Sequence, residues 1–144
     1  MIKFITTGDT LPLRSLILRN GLDPDLCHFE GDDEPSSFHL AYVKDDRVLC
    51  AATFHKQNRD GFSGTGFQLR GMATLTGYQG MGIGNQLLNF AIVYLKGRNV
   101  NYLWCNARKT AYHFYQGIGF EFISDEFDVK NIGLHRAMYL KIMS

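Results

Sequence analysis

The sequence lacks the features that mark a zinc site, a secreted scaffold or a membrane protein. Its three cysteines, Cys27, Cys50 and Cys105, are odd in number and widely separated, with no CxxC or Cys/His spacing suited to zinc. They are expected to be buried hydrophobic residues of a reducing cytoplasm. No stretch reaches the ~20 consecutive apolar residues that cross a bilayer, and the first residues lack a signal-peptide core. We therefore expect a cytoplasmic protein with no metal and no membrane contact.

Acidic residues are absent from the middle of the chain. All fourteen lie at or before Asp60 or at or after Glu121. The interval between them carries a charge of +5, from Arg70, Lys96, Arg98, Arg108 and Lys109. This half could attract an anion, but a buried sheet and helix would also contain few acids, because unpaired charge is costly in a protein interior. The net charge of +1 gives no indication of nucleic-acid binding.

The chain of 144 residues suits one domain, spanning residues 1–144, with no internal repeat or linker. Strand patterns are predicted at 2–7, 38–44, 47–57, 67–75, 100–107 and 135–142. Helical patterns are predicted at 10–21, from Ile83 to Gly97, and at 110–120. The three consecutive strands between 38 and 75 favour an antiparallel meander.

Three glycines, Gly80, Gly82 and Gly84, stand directly before the second predicted helix. A glycine turn between a strand and a helix lets unpaired backbone amides approach a bound anion, because no Cβ stands in the way. A P-loop would need a Lys-Ser or Lys-Thr pair, and no lysine follows before Lys96. A dinucleotide fingerprint would need GxGxxG and a later ribose-binding acid, and neither is present.

The segment from Gln79 to Gly84 fits [QR]xxGx[GA], and so resembles the acetyl-CoA loop of the GNAT superfamily of N-acetyltransferases. The preceding "GMATLTGYQGMGIG" is similar to the family's strand and loop, and the family's "A--FY---GF" is present between Ala111 and Phe120. The order of elements agrees over nearly the whole chain. The resemblance implies an α/β (α+β) fold with a central mixed, mostly antiparallel sheet flanked by helices.

The resemblance also implies how acetyl-CoA, the cosubstrate, is held. The strand backbone would bind the pantetheine arm through Met72, Ala73 and Thr74. The loop amides would bind the pyrophosphate, at Gln79, Gly80, Met81, Gly82, Ile83 and Gly84. Thr76 replaces the family's usual proline, and Arg108 replaces an asparagine that contacts the pantetheine. Asn106 is expected to take over that contact, and Arg108 to reach the phosphates, unless Arg108 is only a solvated residue at a helix start.

The implied reaction is transfer of an acetyl group to a primary amine of a small molecule or peptide, by direct attack in a ternary complex. Tyr115 matches the family tyrosine that protonates the departing thiolate, since a phenol with a pKa of about 10 stays protonated at neutral pH. It could instead be a packed aromatic residue. Neither neighbouring strand carries the acid that many members use as general base, so His135 on the last strand is the first candidate, or else a surface residue.

The acceptor is predicted less sharply. The loop after the first helix contains the acidic residues Glu30, Asp32 and Asp33, which could hold a cationic amine or simply form a solvated loop. Members of the family often form dimers through sheet edges, so the resemblance also allows a homodimer. Because the carboxylate base and the asparagine are missing, a non-catalytic acyl-CoA sensor or scaffold remains the alternative to an enzyme.

Overall fold

A computed structural model describes residues 1–143 as one eight-stranded sheet with helices on both faces. The strands are β1 (Ile2–Ile5), β2 (Phe38–Lys44), β3 (Arg47–Lys56), β4 (Gly66–Thr74), β5 (Tyr102–Arg108), β6 (Glu121–Phe122), β7 (Phe127–Val129) and β8 (Gly133–Lys141). Their order is β1-β2-β3-β4-β5-β8-β6, with β7 paired to β8. Only β4 and β5 are parallel, which confirms the expected mixed, mostly antiparallel sheet.

Three α-helices flank the sheet: α1 (Thr7–Leu13), α2 (Ile83–Gly97) and α3 (Tyr112–Ile118). The first begins earlier than the predicted 10–21 helix because Thr6 and Asp9 form a capping box that satisfies its first amides. It continues into a π-helical turn at Arg14–Leu18, and a short 3-10 helix follows at Pro24–Leu26. No helix within residues 1–143 has the length and apolar character needed to cross a bilayer.

The helices pack on opposite faces of the sheet. On one face α1 places Leu13 against Ala51 and Ala73. On the other face α2 contributes the larger part of the core, since Leu87, Leu88, Ala91 and Leu95 are all fully buried there. Because successive side chains of a strand point to opposite faces of the sheet, each strand has one row of side chains on the face of α1 and another on the face of α2.

The one parallel pair of strands separates after a short contact. β4 and β5 are paired only at Gly66–Tyr102, Phe67–Leu103 and Gln68–Trp104. Beyond that point each strand keeps its other neighbour, since β4 stays paired with β3 and β5 with β8. The facing edges of β4 and β5 are thus free of each other from Leu69 and Cys105 onward, which leaves a cleft between their carboxyl ends.

A β-bulge bends β4 at the start of this cleft. Ala51 pairs with Ala73 and Thr53 pairs with Arg70, so two residues of β4 oppose one residue of β3. Gly71 lies in the bulge with φ +64°, and a Cβ there would meet the Phe29 ring at 2.9 Å and Arg14 Nε at 3.0 Å. Glycine is therefore required at position 71 both for its backbone conformation and for lack of space.

The last part of the chain differs from the prediction. β8 begins at Gly133 rather than at residue 135, and β6 and β7 pair with it although no strand was predicted for either. Both are very short, and their pairing with β8 is a long-range contact that local periodicity does not report. β8 thereby lies between β5 and the short strands, and forms one wall beside the cleft.

Candidate active site

The glycine loop connects the open end of β4 to the start of α2. Gly80 and Gly82 have φ of +75° and +80°, and a Cβ at either position would meet nothing within 4 Å. Their backbone is therefore accessible from outside. The side chain of Gln79 ties the loop to the strand, because its Nε2 donates to the Thr74 carbonyl at 3.0 Å.

Within residues 1–143 no side chain caps the amino terminus of α2. Gly82 is its N-cap residue, no side chain accepts from its first amides, and no acid lies in its first turn. The first backbone bond runs from the Gln86 amide to the Gly82 carbonyl at 3.0 Å. The preceding amides are those that a helix leaves unpaired, and the helix dipole makes them favourable for an anion. By contrast α1 satisfies its own start with a capping box.

Gly84 has a different role from the two glycines before it. A Cβ there would meet Met72 Cε at 3.0 Å and Phe114 Cζ at 3.2 Å. The missing side chain at this position lets β4 and α3 approach α2. Only the first part of the glycine motif therefore presents open backbone, whereas its last glycine serves packing.

The end of β4 offers a free backbone edge to the cleft. Ala73 and Thr74 are paired with Ala51 and Cys50 of β3, and the pairing with β5 ends before them. Their side chains are engaged within the protein, since Ala73 packs against α1 and Thr74 Oγ1 donates to Cys50 Sγ at 3.3 Å. Met72 packs against the core on the α2 face. The backbone of these residues is the part that faces the gap.

Tyr115 of α3 is buried in the core cluster on the α2 face, with 6% of its surface exposed. Its ring packs between Phe114 and Phe120, with ring centroids 5.1 Å and 5.3 Å away. Burial raises the pKa of the phenol well above its ordinary value, with Cys105 and Cys50 adding to the rise and Arg108 opposing it. The phenol therefore stays protonated at physiological pH. Tyr115 thus packs as an aromatic residue of the core, and its role in proton transfer stays a prediction.

His135 lies on β8 beside Arg108 of β5, on the α1 face of the sheet. It is 7% exposed, and its Nδ1 donates to the Gly133 carbonyl at 2.9 Å while its ring stacks on Phe127. This hydrogen bond fixes the proton of the neutral ring on Nδ1 and leaves Nε2 as an acceptor. Asn106, two residues before Arg108, is exposed on the same face.

Arg108 is oriented differently from the expected phosphate contact. Its Nη2 donates to the Leu18 carbonyl at 3.1 Å, at the end of the π-helical turn that follows α1. The side chain therefore lies on the α1 face, whereas α2 begins on the opposite face. Burial and the nearby Arg19 lower the pKa of the Arg108 guanidinium. The geometry gives no support to a contact between this side chain and the cofactor's phosphates.

The predicted acidic cluster divides into one interior residue and two exposed ones. Asp32 is 4% exposed and accepts hydrogen bonds from Arg14 Nη1 at 2.7 Å, His55 Nε2 at 2.9 Å and the Phe29 amide at 2.8 Å. The expectation that Asp32 binds the acceptor amine is therefore wrong, because its carboxylate is buried and already hydrogen-bonded within the protein. Glu30 and Asp33 are exposed, and Asp33 accepts from the Thr7 hydroxyl.

The ion pair of Asp32 belongs to a buried polar network that the sequence interpretation missed. Arg14 is 1% exposed and also donates to Thr53 Oγ1 at 2.7 Å, and Thr53 bonds His39 Nδ1 at 2.7 Å. Burial alone would raise the pKa of the Asp32 carboxyl, but hydrogen bonds from His55 and Arg14 outweigh it and hold the pKa well below its usual value. The sequence contains one indication of this network. Arg14 interrupts the apolar stripe of the first helix between Leu11 and Leu18, which places a charged residue on the face that packs against the sheet.

Comparison with known proteins agrees with this arrangement of strands and loop. A family model described as acetyltransferase (GNAT) domain matches residues 26–141. The chain is 33% identical over 139 residues to YitI of Bacillus subtilis (strain 168), described as an uncharacterized N-acetyltransferase. The match covers 96% of this chain and 93% of YitI.

Solved structures share the fold at low sequence identity. An aminoglycoside 6'-N-acetyltransferase complexed with coenzyme A superposes with a TM-score of 0.79 at 14% identity, covering 100% of this chain and 98% of that one. FeeM, an N-acyl amino acid synthase from uncultured soil microbes, superposes with a TM-score of 0.79 at 10% identity, covering 99% and 95%. At these identities the similarity establishes the fold alone.

Proposed function

This chain belongs to the acetyltransferase (GNAT) family and is an acyltransferase, and from that premise we propose that it transfers the acetyl group of acetyl-CoA to the primary amine of a small molecule or peptide. The observation that carries the proposal is the cleft between β4 and β5, which ends at the uncapped start of α2. An extended thioester arm fits between two separated strands, and a pyrophosphate fits the free amides at the helix start.

The residues present fit acetyl-CoA at both ends. In this proposal the amides of the loop from Gln79 to Ile83 hold the pyrophosphate, because Gly80 and Gly82 leave the backbone open. The backbone of Met72, Ala73 and Thr74 pairs with the pantetheine arm through the edge that β5 leaves free. Gly84 contributes indirectly by letting α2 pack against β4 and α3. The exposed Asn106 is assigned to the pantetheine from the β5 side, whereas Arg108 is not assigned to the phosphates.

The proposed chemistry is direct acyl transfer. The neutral acceptor nitrogen attacks the thioester carbonyl carbon, a C–N bond forms and the C–S bond breaks. The departing thiolate takes the proton of the Tyr115 phenol, and the attacking nitrogen loses its extra proton to a base or to water. A proton from solvent then returns to Tyr115, so that the phenol is restored for the next turnover. Direct attack is favoured over an acetyl-cysteine intermediate, because burial raises the pKa of Cys50 to about 11 and raises that of Cys105 still further.

We assign the role of base to His135, acting directly or through water. Its Nδ1–H is held by the Gly133 carbonyl, so Nε2 carries the free lone pair. It lies on the α1 face with Asn106 and Arg108, at the wall that β8 adds beside the cleft. No acid occurs anywhere between residues 61 and 120, so β4 and β5 supply no carboxylate base of their own.

Two measurements test the proposal. Calorimetric titration of the purified protein with acetyl-CoA, with ATP and NAD as controls, is expected to show selective binding; absence of binding would remove the proposed function. Thiol release with an amine panel is then compared in Tyr115→Phe and in a control, Tyr94→Phe, on α2.

The first variant is expected to lose about 10²-fold in kcat while its acetyl-CoA affinity stays close to that of the wild type, since only the proton donor is removed. The control is expected to keep full activity. Equal turnover in both variants would take Tyr115 out of the mechanism, and no turnover with any amine would favour a sensor.

A further inference from the structure

Arg70 stands on the β4 side of the cleft, on the same α1 face of the sheet as the proposed base His135. Arg70 of β4 is paired with Thr53 of β3, and paired residues point their side chains to the same face of the sheet. Because Thr53 contacts Arg14 on the α1 face, the Arg70 side chain lies on that face too. It is half-buried, and its guanidinium lies 4.2 Å from the centre of the Phe29 ring. Arg70 adjoins the bulge at Gly71, just past the point where β4 and β5 separate.

Arg70 has no acidic partner among residues 1–143. The nearest buried carboxylate, Asp32, is fully engaged by Arg14, His55 and the Phe29 amide. Glu30 follows Phe29 in sequence but forms no ion pair with Arg70 in the described part of the chain. A half-buried guanidinium that stacks on an aromatic ring and forms no direct ion pair is suited to hold a planar anion in two parallel hydrogen bonds.

The β5 side of the cleft is also basic. Arg108 lies on the same face, with Arg19 close enough to lower its pKa, and neither is ion-paired within residues 1–143. Glu126, from the loop before β7, lies 3.7 Å from Lys109 in an exposed pair and accepts a hydrogen bond from the Tyr112 hydroxyl. The two sides together therefore favour a negative ligand and disfavour a polycation.

We propose that the acceptor is a small amine that also carries an anionic group, a carboxylate or a phosphate, and that Arg70 binds this group while the amine faces the thioester. The inference rests on the proposed function, because it assigns the acceptor of the same cleft. It reverses the expectation that the loop containing Glu30 and Asp33 holds a cationic amine. The Phe29 ring packs against the Arg70 guanidinium and thereby restricts its orientation.

Binding of matched pairs tests this recognition without requiring turnover. The wild-type protein, free and saturated with coenzyme A, is titrated with amino acids and with their carboxamides, which have the same size but no negative charge. A second pair, 2-aminoethyl phosphate and 2-aminoethanol, distinguishes a phosphate from a carboxylate, and spermidine represents polycations. At least one acid is expected to bind about tenfold or more tightly than its neutral partner. Equal binding within every pair, or preference for spermidine, would overturn the proposal.

Variants assign the preference to one side chain. Arg70→Gln is expected to lose about tenfold or more in affinity for the anionic member of a pair and little for the neutral member. Arg70→Lys should retain part of the preference, and Arg70→Glu should reverse it. Arg98→Gln, on an exposed arginine after α2, is the matched control and should bind as the wild type does. An unchanged preference in Arg70→Gln, or loss of spermidine binding in Glu30→Gln, would contradict the assignment.

Two failures remain distinguishable. If anionic amines bind preferentially but no thiol is released from acetyl-CoA, the recognition stands and the transferase function does not. If thiol release is as fast with carboxamides or spermidine as with the acids, the transferase function stands and the acceptor class is wrong. Thermal melting of each variant shows whether the fold is intact. The variants are expected to stay folded, because Arg70 is not part of the buried ion pair of Arg14 and Asp32.

Discussion

Replacing Asp32 with asparagine should destabilise the fold strongly although it changes the side chain only slightly. Asp32 and Arg14 are 2.7 Å apart, with 2% and 1% of their side chains exposed. The amide keeps the shape and one acceptor oxygen but removes the charge that balances the buried guanidinium. Arg14 would keep only neutral partners, namely the remaining amide oxygen, the Cys27 carbonyl and the Thr53 hydroxyl.

The expected loss is about 3–5 kcal/mol in the free energy of unfolding, the usual cost of leaving one member of a buried ion pair uncompensated. This is a large share of the ~5–15 kcal/mol that stabilises a typical domain. Urea denaturation followed by circular dichroism at neutral pH measures it. Asp33→Asn is the matched control, because Asp33 is the exposed neighbour and accepts one hydrogen bond from Thr7; its expected cost is below about 1 kcal/mol.

The effect should also depend on pH. The folded-state pKa of Asp32 lies below its unfolded value of 3.8, so its contribution is present above about pH 4 and is lost as the pH falls toward the folded pKa. The difference between the wild type and Asp32→Asn is therefore expected to narrow below about pH 4. If Asp32→Asn loses no more free energy of unfolding at neutral pH than Asp33→Asn does, the reasoning about the buried pair is refuted.

Two further predictions concern the cleft. Gly82→Ala and Gly77→Ala both place a Cβ at positive φ in open space, so each should lose about 1–2 kcal/mol of stability. Only Gly82→Ala should also weaken acetyl-CoA binding measured by calorimetry, by about tenfold, the equivalent of one charge-assisted hydrogen bond; equal losses of affinity in both would argue against the loop as the phosphate site. Incubation with acetyl-CoA should leave the intact mass of the protein unchanged, because burial keeps Cys50 and Cys105 as thiols; an acetylated cysteine peptide would contradict direct transfer.

Short-range patterns account for most of the elements that the sequence predicted correctly. The meander of β2, β3 and β4 follows from three apolar strand-like runs, the first two joined by a tight turn at Asp45 and Asp46. The helix α2 follows from its apolar stripe and the glycines before it. The start of α1 was missed although Thr6 and Asp9 are a recognisable capping box. β6 and β7 were missed because two- and three-residue strands exist only through pairing with β8.

The sequence alone determined the loop, the helix after it and the family, because glycine positions, helical periodicity and motif spacing are local properties of the chain. It could not determine which side chains meet across strands far apart in sequence. Asp32 reads as a solvated loop residue until Arg14, 18 residues away, is seen beside it. Arg70 and Arg108 read as scattered charges until the separation of β4 and β5 places them on two sides of one cleft. Those contacts are long-range and depend on the register and twist of the whole sheet, which only the tertiary structure decides.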